Sequence, residues 1–256
     1  MKKTLTLVAA SALTLMAGLA QAQETTIRWG TEPGYKPFTY KDADGNLTGF
    51  DVDIGEAICA ELNAECVWVE QDWDGLIPAL QARRFDGILA SMSITEDRSR
   101  VVDFTRPYYV ETSQFLGPID KNYTDDESLN GKSVGVLRGS IQADFIAGAR
   151  PELVVTEYPS NEEIYLDMIA GRIDIAFVGS IATELGFLAS DDGKPFALFG
   201  EHYADPEYFG DGVGIAMRKS DAELRDKISQ AILTIRENGT YAEINDRYFS
   251  FDIWGQ

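Results

Sequence analysis

The stretch Lys132–Ser180, KSVGVLRGSIQADFIAGARPELVVTEYPSNEEIYLDMIAGRIDIAFVGS, decides the fold. It reads as strand Ser133–Leu137, helix Ile141–Ala149, strand Leu153–Glu157, helix Glu162–Ala170 and strand Ile173–Val178, with a further helix over Ile181–Leu188. Short β-branched runs alternating with helix-period segments of this length predict βαβ units and mostly parallel sheets, hence an α/β chain. The same rhythm lies upstream. Thr26–Gly30 is strand-like, Ile54, Ala57, Ile58 and Leu62 recur at helical spacing, and Cys66–Val69 is again strand-like. Leu76–Ala82 then reads as helix and Gly87–Ala90 as a buried strand.

Two segments echo each other. Ala82-Arg83-Arg84-Phe85-Asp86-Gly87-Ile88 and Ala170-Gly171-Arg172-Ile173-Asp174-Ile175-Ala176 both run from a helix end into a strand. They fit one supersecondary unit used once in each of two lobes, although βαβ units share such patterning by chance. Arg106–Phe115 and Tyr208–Met217, rich in aromatics and glycine, read as two extended crossings between lobes. The expected division is residues 24–110 with 211–256 in a discontinuous first lobe, and 111–210 in a second. A closing helix, Ala222–Glu237, carries Leu224, Ile228, Ala231, Ile232 and Ile235 on one stripe, with Gly239 as its stop signal. Two crossings make a hinge, and closure about a hinge is how such architectures take a ligand.

The N-terminus predicts export. Lys2 and Lys3 precede an apolar run from Leu5 to Ala20, and Ala20-Gln21-Ala22 is a small-residue cleavage site, so residues 1–22 read as a secretory signal peptide. No cysteine follows directly to carry a lipid, and no later run has the length of a membrane helix. Removal of the signal takes two of the 22 basic residues, leaving 20 against 42 acidic ones, a formal net charge of −22. That field argues against nucleic acid as a partner and favours small cations, though it serves solubility equally well. Cys59 and Cys66 are the only cysteines. In an oxidising compartment such a pair suggests a disulfide closing a small loop. With a single histidine in the chain, no zinc cluster shows, and neither metal nor cofactor is expected.

Seven blocks then become specific in order. They are Gly30-Thr31-Glu32-Pro33-Gly34-Tyr35-Lys36-Pro37-Phe38, Gly49-Phe50-Asp51-Val52-Asp53-Ile54, Ser91-Met92-Ser93-Ile94-Thr95-Glu96-Asp97-Arg98 and Val102-Asp103-Phe104-Thr105-Arg106-Pro107-Tyr108. Lys132-Ser133-Val134-Gly135-Val136-Leu137-Arg138-Gly139-Ser140, Ala170-Gly171-Arg172-Ile173-Asp174 and Asn238-Gly239-Thr240-Tyr241 follow. Together they resemble the periplasmic polar-amino-acid-binding proteins of ABC importers, across essentially the whole chain after the signal. The resemblance implies the two-lobed periplasmic binding protein fold, a small amino-acid-like ligand between the lobes, and a membrane permease as partner. It implies a periplasmic monomer without enzymatic activity. Cys59 and Cys66 are similar to the disulfide pair of the histidine-binding and lysine/arginine/ornithine-binding branches.

The same resemblance distributes roles. Arg98, after the helix cap Thr95, would take the ligand carboxylate bidentately, which a lysine could not; its bland reading is a solvated first-turn charge. Ser91, Met92 and Ser93 would line the site beside it. Ser140, Ile141 and Gln142 follow Gly139 at a strand-to-helix turn, where free N–H groups can cradle an anion. Tyr35 and Trp73 would hold the aliphatic or cationic part of the ligand, unless either ring only fills the core. Glu32 resembles the acidic residue that meets the cationic side chain in the lysine/arginine branch.

The departures narrow the ligand. Relatives binding free α-amino acids carry an aspartate two residues beyond Phe177, where this chain has Gly179, followed by Ser180. Ala90 replaces a serine, Ile141 a threonine, and Ala90, Met92 and Trp73 together resemble the opine-binding branch. The expectation is a cationic amino acid or a derivative such as an opine. The enzyme alternative is a cyclohexadienyl dehydratase on the same fold, which needs a positioned acid or base in the cleft. His202, the one imidazole, falls outside every cleft motif.

Overall fold

The computed structural model describes residues 25–125 and 127–255, so the expected signal peptide lies outside the described residues. Two five-stranded sheets organise the chain. In the first, Thr25–Thr31 is central enough to run parallel to Ala64–Glu70 along its whole length and to pair with Gly87–Ile88 on its other side. Ala216–Met217 then joins Gly87–Ile88 to Asp103–Phe104, antiparallel to both. In the second, Phe196–Tyr203 and Ser113–Pro118 pair antiparallel, and Ser113–Pro118 pairs antiparallel with Ile175–Gly179. From there Ser133–Leu137 and Val154–Tyr158 continue in parallel.

The parallel parts of each sheet follow from the strand–helix alternation, because a parallel connection needs a crossover that covers one face. Ile27 and Trp29 on the first strand are buried against Ile54 and Ile58 of helix Phe50–Glu61. Gly30 on the same strand meets a different segment, for a Cβ there would lie 2.4 Å from the ring of Phe85, which packs with Leu76 and Leu80. Helix Ala222–Glu237 forms over the expected residues and buries Ile228, Ala231, Ile232 and Ile235 in that same core, so the chain's end returns to its first sheet. The second sheet has its own core, centred on Phe115, Phe145, Phe177 and Ile146.

The two crossings lie side by side. Tyr108 N–H donates to the Val213 carbonyl and Val213 N–H to the Tyr109 carbonyl, each at 2.9 Å, so the segments that leave and re-enter the first sheet are joined antiparallel. Cys59 and Cys66 are bonded, tying the last turn of helix Phe50–Glu61 to the strand after it.

Two elements differ from expectation. Ile181–Leu188 is not one α-helix: a single turn, Ser180–Ala182, passes into a π-helical segment, Thr183–Phe187, closed by Leu188 N–H on the Thr183 carbonyl. Gly186 there packs against the Lys36 carbonyl so closely that a Cβ would lie at 2.7 Å, and the widened turn accommodates that contact. The strand expected over Gly87–Ala90 stops at Ile88, and the chain turns at Ser91, whose φ of 56° is left-handed. No helix of the described residues is long and apolar enough to cross a membrane.

Candidate functional site

Between the two sheets lies a cavity walled from both sides. Glu32, Tyr35, Trp73, Ser91, Ser93 and Arg98 line it from the first lobe; Ser140, Ile141, Gln142 and Gly179 line it from the second. Those are ten of the twelve residues singled out from the sequence. Met92 and Ser180 are not among its lining. Met92 is 2% exposed and packs in the core with Leu80 and Phe85. Ser180 is 5% exposed, and its Oγ accepts a 3.1 Å hydrogen bond from Thr112, which takes it out of the cavity. Five lining positions had drawn no attention in the sequence: Glu111, Ser113, Leu137, Asn161 and Val178.

Arg98 is built into place by its own short helix. Thr95 caps Glu96–Ser99 by accepting from Arg98 N–H at 3.3 Å, and the side chain turns back along the cavity. Its Nη1 donates to the Ser93 carbonyl at 3.0 Å and Nη2 reaches the Gly139 carbonyl at 3.5 Å. The guanidinium carbon stands 5.4 Å from the centre of the Trp73 ring. Burial lowers the Arg98 pKa to about 10, with the charge of Asp144 opposing the fall. Among the described residues no carboxylate comes within 4.0 Å of it, which leaves its remaining donors for an incoming anion.

Opposite stand the second lobe's anion-receptive groups. Gly139 takes φ 68°, a turn that favours glycine, and Ser140 caps helix Ile141–Ala149 through its Oγ, accepting from Ala143 N–H at 3.2 Å. Gln142 Nε2 donates to Ser113 Oγ at 2.9 Å and is thereby fixed in the wall. Trp73 Nε1 crosses the cleft to the Gly139 carbonyl at 3.2 Å, so Trp73 and Arg98 converge on one acceptor from the other lobe.

The wall carries two carboxylates. Glu32 sits where the cavity meets an outer recess formed with Glu70, Asp72 and Glu163. Burial, then the charge of Asp72, raises its pKa to about 7. Glu111, on the first crossing, accepts from Tyr35 Oη at 2.9 Å and from Ala182 N–H at 3.2 Å, yet burial still pushes it up to about 7. Behind the wall, Asp51 accepts from Tyr108 Oη at 2.8 Å and Ser91 Oγ at 3.0 Å, and burial raises it to about 6. The bond from Ser91 Oγ ties that residue, in its left-handed backbone conformation, to Asp51, and strain of this kind gathers at functional sites.

The arrangement suits a molecule carrying one carboxylate and cationic nitrogen. It lacks the parts for acid–base chemistry at an imidazole: His202 Nδ1 lies 3.0 Å from Thr112 Oγ1 and does not line the cavity. Ser133, within a Gly-x-Ser-x-Gly run, opens a strand and hydrogen bonds Asp174. Among the described residues no group of three or more His, Cys, Asp or Glu is placed to hold a metal ion.

Residues 27–251 match the model of the bacterial extracellular solute-binding proteins, family 3. The chain is 46% identical to an L-arginine-binding protein of Pseudomonas aeruginosa over 257 residues, covering 99% of each. It is 38% identical to the lysine/arginine/ornithine-binding periplasmic protein of Escherichia coli, covering 95% of this chain and 97% of the relative. Among solved structures, an arginine-specific periplasmic binding protein of Salmonella typhimurium superposes with a TM-score of 0.83 at 30% identity, covering 88% of this chain and all of the other. These relatives are named for binding and not for catalysis. The chain thus belongs to the bacterial extracellular solute-binding proteins, family 3.

Proposed function

We propose that this chain is the periplasmic, monomeric capture component of an ABC importer and that its cargo is a cationic amino acid or a derivative of one. The observation that carries the reading is the charge pattern of the cavity. A guanidinium without a carboxylate partner, Arg98, faces a wall whose other charged groups, Glu32 and Glu111, have no cation within 4.0 Å among the described residues. Buried charges are tolerated when they are paired, so the ligand itself must bring a carboxylate to Arg98 and positive charge to the glutamates. Glu32, beside the acidic recess, receives the distal ammonium or guanidinium, and Tyr35 and Trp73 enclose the aliphatic stem. The names of the arginine-, lysine- and ornithine-binding relatives point the same way.

Thermal shift and isothermal titration with arginine, lysine, ornithine, opines, glutamine and glutamate test it. A ligand at a thousand times its Kd stabilises by about 4 kcal/mol, a shift that such a screen resolves readily. Tight binding of glutamate, with none of the cationic ligands, would overturn the charge assignment.

A further inference from the structure

We infer that Glu111 is the residue that binds the α-ammonium of the cargo, doing from the interlobe crossing what a side chain at the end of strand Ile175–Gly179 does not do here. The inference rests on the cationic-amino-acid reading above and adds the second of its two cation sites. Position 179 offers no side chain, and the space it would use is already filled: a Cβ on Gly179 would lie 2.1 Å from Tyr35 Oη and 2.7 Å from Glu111 Oε1. A carboxylate therefore does stand beside that strand end, delivered by a different segment. Glu111 is fixed there from two sides, Oε2 by the Tyr35 hydroxyl and Oε1 by Ala182 N–H. Neither donor is a cation, and no Lys or Arg lies within 4.0 Å among the described residues.

The charges then close as a set. One guanidinium and two carboxylates line the cavity, and an arginine, lysine or ornithine zwitterion brings one carboxylate and two cations. Glu32 lies at the outer recess and Glu111 at the crossing, so the two cation sites are separate and suit the two ends of such a ligand. A free α-ammonium thus has an anionic partner despite Gly179. An opine places an extra carboxylate on that nitrogen, next to Glu111, where like charges repel.

The test compares each cationic amino acid with its analogue lacking only the α-amino group: arginine with 5-guanidinopentanoate, lysine with 6-aminohexanoate. Affinities are measured by isothermal titration for the wild-type chain and for Glu111→Gln and Glu32→Gln. Wild type should prefer the amino acid over its analogue by about a hundredfold or more, the loss typical of stranding one member of a buried charge pair. In Glu111→Gln that preference should collapse to within about tenfold, while the analogue binds as it does to wild type. Glu32→Gln should weaken both and keep the preference. The ratio of two affinities on one variant does not depend on how much of it is folded, so a destabilised variant still reports. If Glu111→Gln loses equal affinity for both ligands, or keeps the full preference, the assignment is wrong while the cargo reading stands. Tighter binding of octopine than of arginine by the wild type also overturns it. If wild type binds an opine but none of the three cationic amino acids, this assignment fails while the cargo reading stands; if it binds neither, both fail.

Discussion

Replacing Arg98 with alanine should separate binding from folding. The substitution removes a guanidinium that makes two bonds to backbone carbonyls, Ser93 at 3.0 Å and Gly139 at 3.5 Å, and stacks near Trp73. Its pKa of about 10, against an ordinary 12.5, means that the empty site holds this cation unwillingly. A drop of that size corresponds to about 3 kcal/mol, reduced by the side chain's partial exposure to the cavity. The two carbonyl bonds, one of them long at 3.5 Å, return about 1.5 kcal/mol each. The sum for the ligand-free protein is close to zero, so Arg98→Ala should melt within a few degrees of wild type. Binding behaves differently, since the ligand carboxylate would be left buried without its cation. That costs about 2–5 kcal/mol, or roughly 30- to 5,000-fold in Kd. Calorimetric melting of the ligand-free protein and isothermal titration of the same sample read both numbers. A variant that loses stability by several kcal/mol yet keeps its affinity would show Arg98 to be a structural cation and refute the reasoning.

The raised carboxylates make opposite demands on pH. Because Glu32 and Glu111 titrate near 7 and Asp51 near 6 in the folded protein, the native chain holds more protons than the unfolded chain between about pH 4.5 and 7. Ligand-free stability should therefore fall as pH rises through that window, while affinity for a cation should rise; denaturant melts and titrations at pH 5.5 and 8 check both signs, and Glu32→Gln should flatten each slope. Trp73 donates across the cleft and should report ligand binding by fluorescence, so Trp73→Phe should remove the signal while keeping most of the affinity. Persistence of the full signal would assign it to Trp29, Trp68 or Trp254 instead. Cys59→Ser opens a loop of sequence separation 7 and should cost about 2 kcal/mol of stability by chain entropy, leaving affinity within about twofold. A large affinity loss would mean that the loop supports the site.

What could be read in advance divides along the range of the interactions involved. Strand–helix alternation is local, and so Ser133–Leu137, Ile141–Ala149 and Ala222–Glu237 form over the residues their periodicity marks. Met92 lay hidden by a tertiary feature: Ser91 and Ser93 line the cavity, but the left-handed turn at Ser91 sends the residue between them into the core with Leu80 and Phe85. Glu111 is the opposite case. Nothing in Tyr109-Val110-Glu111-Thr112 marks a binding residue, because the role proposed for it arises from placement beside Tyr35, 76 positions away, and beside the glycine at 179. Gly179 was legible as a missing side chain, but the carboxylate that the crossing segment brings beside it was not. The π-helical turn at Thr183–Phe187 likewise answers a tertiary contact with Lys36 that no local pattern encodes.

The Gly139 carbonyl has a mechanical consequence. Trp73 and Arg98 both reach it from the facing lobe, and both also line the ligand cavity. One oxygen is thus a strike plate for two bolts, and the bolts are the same side chains proposed to hold the cargo. When the lobes part, Trp73 and Arg98 lose that anchor together, and the second lobe's half of the cage withdraws in the same movement. Retention and discharge then become two positions of a single lever, and a permease that pries the lobes apart needs no separate step to loosen its freight.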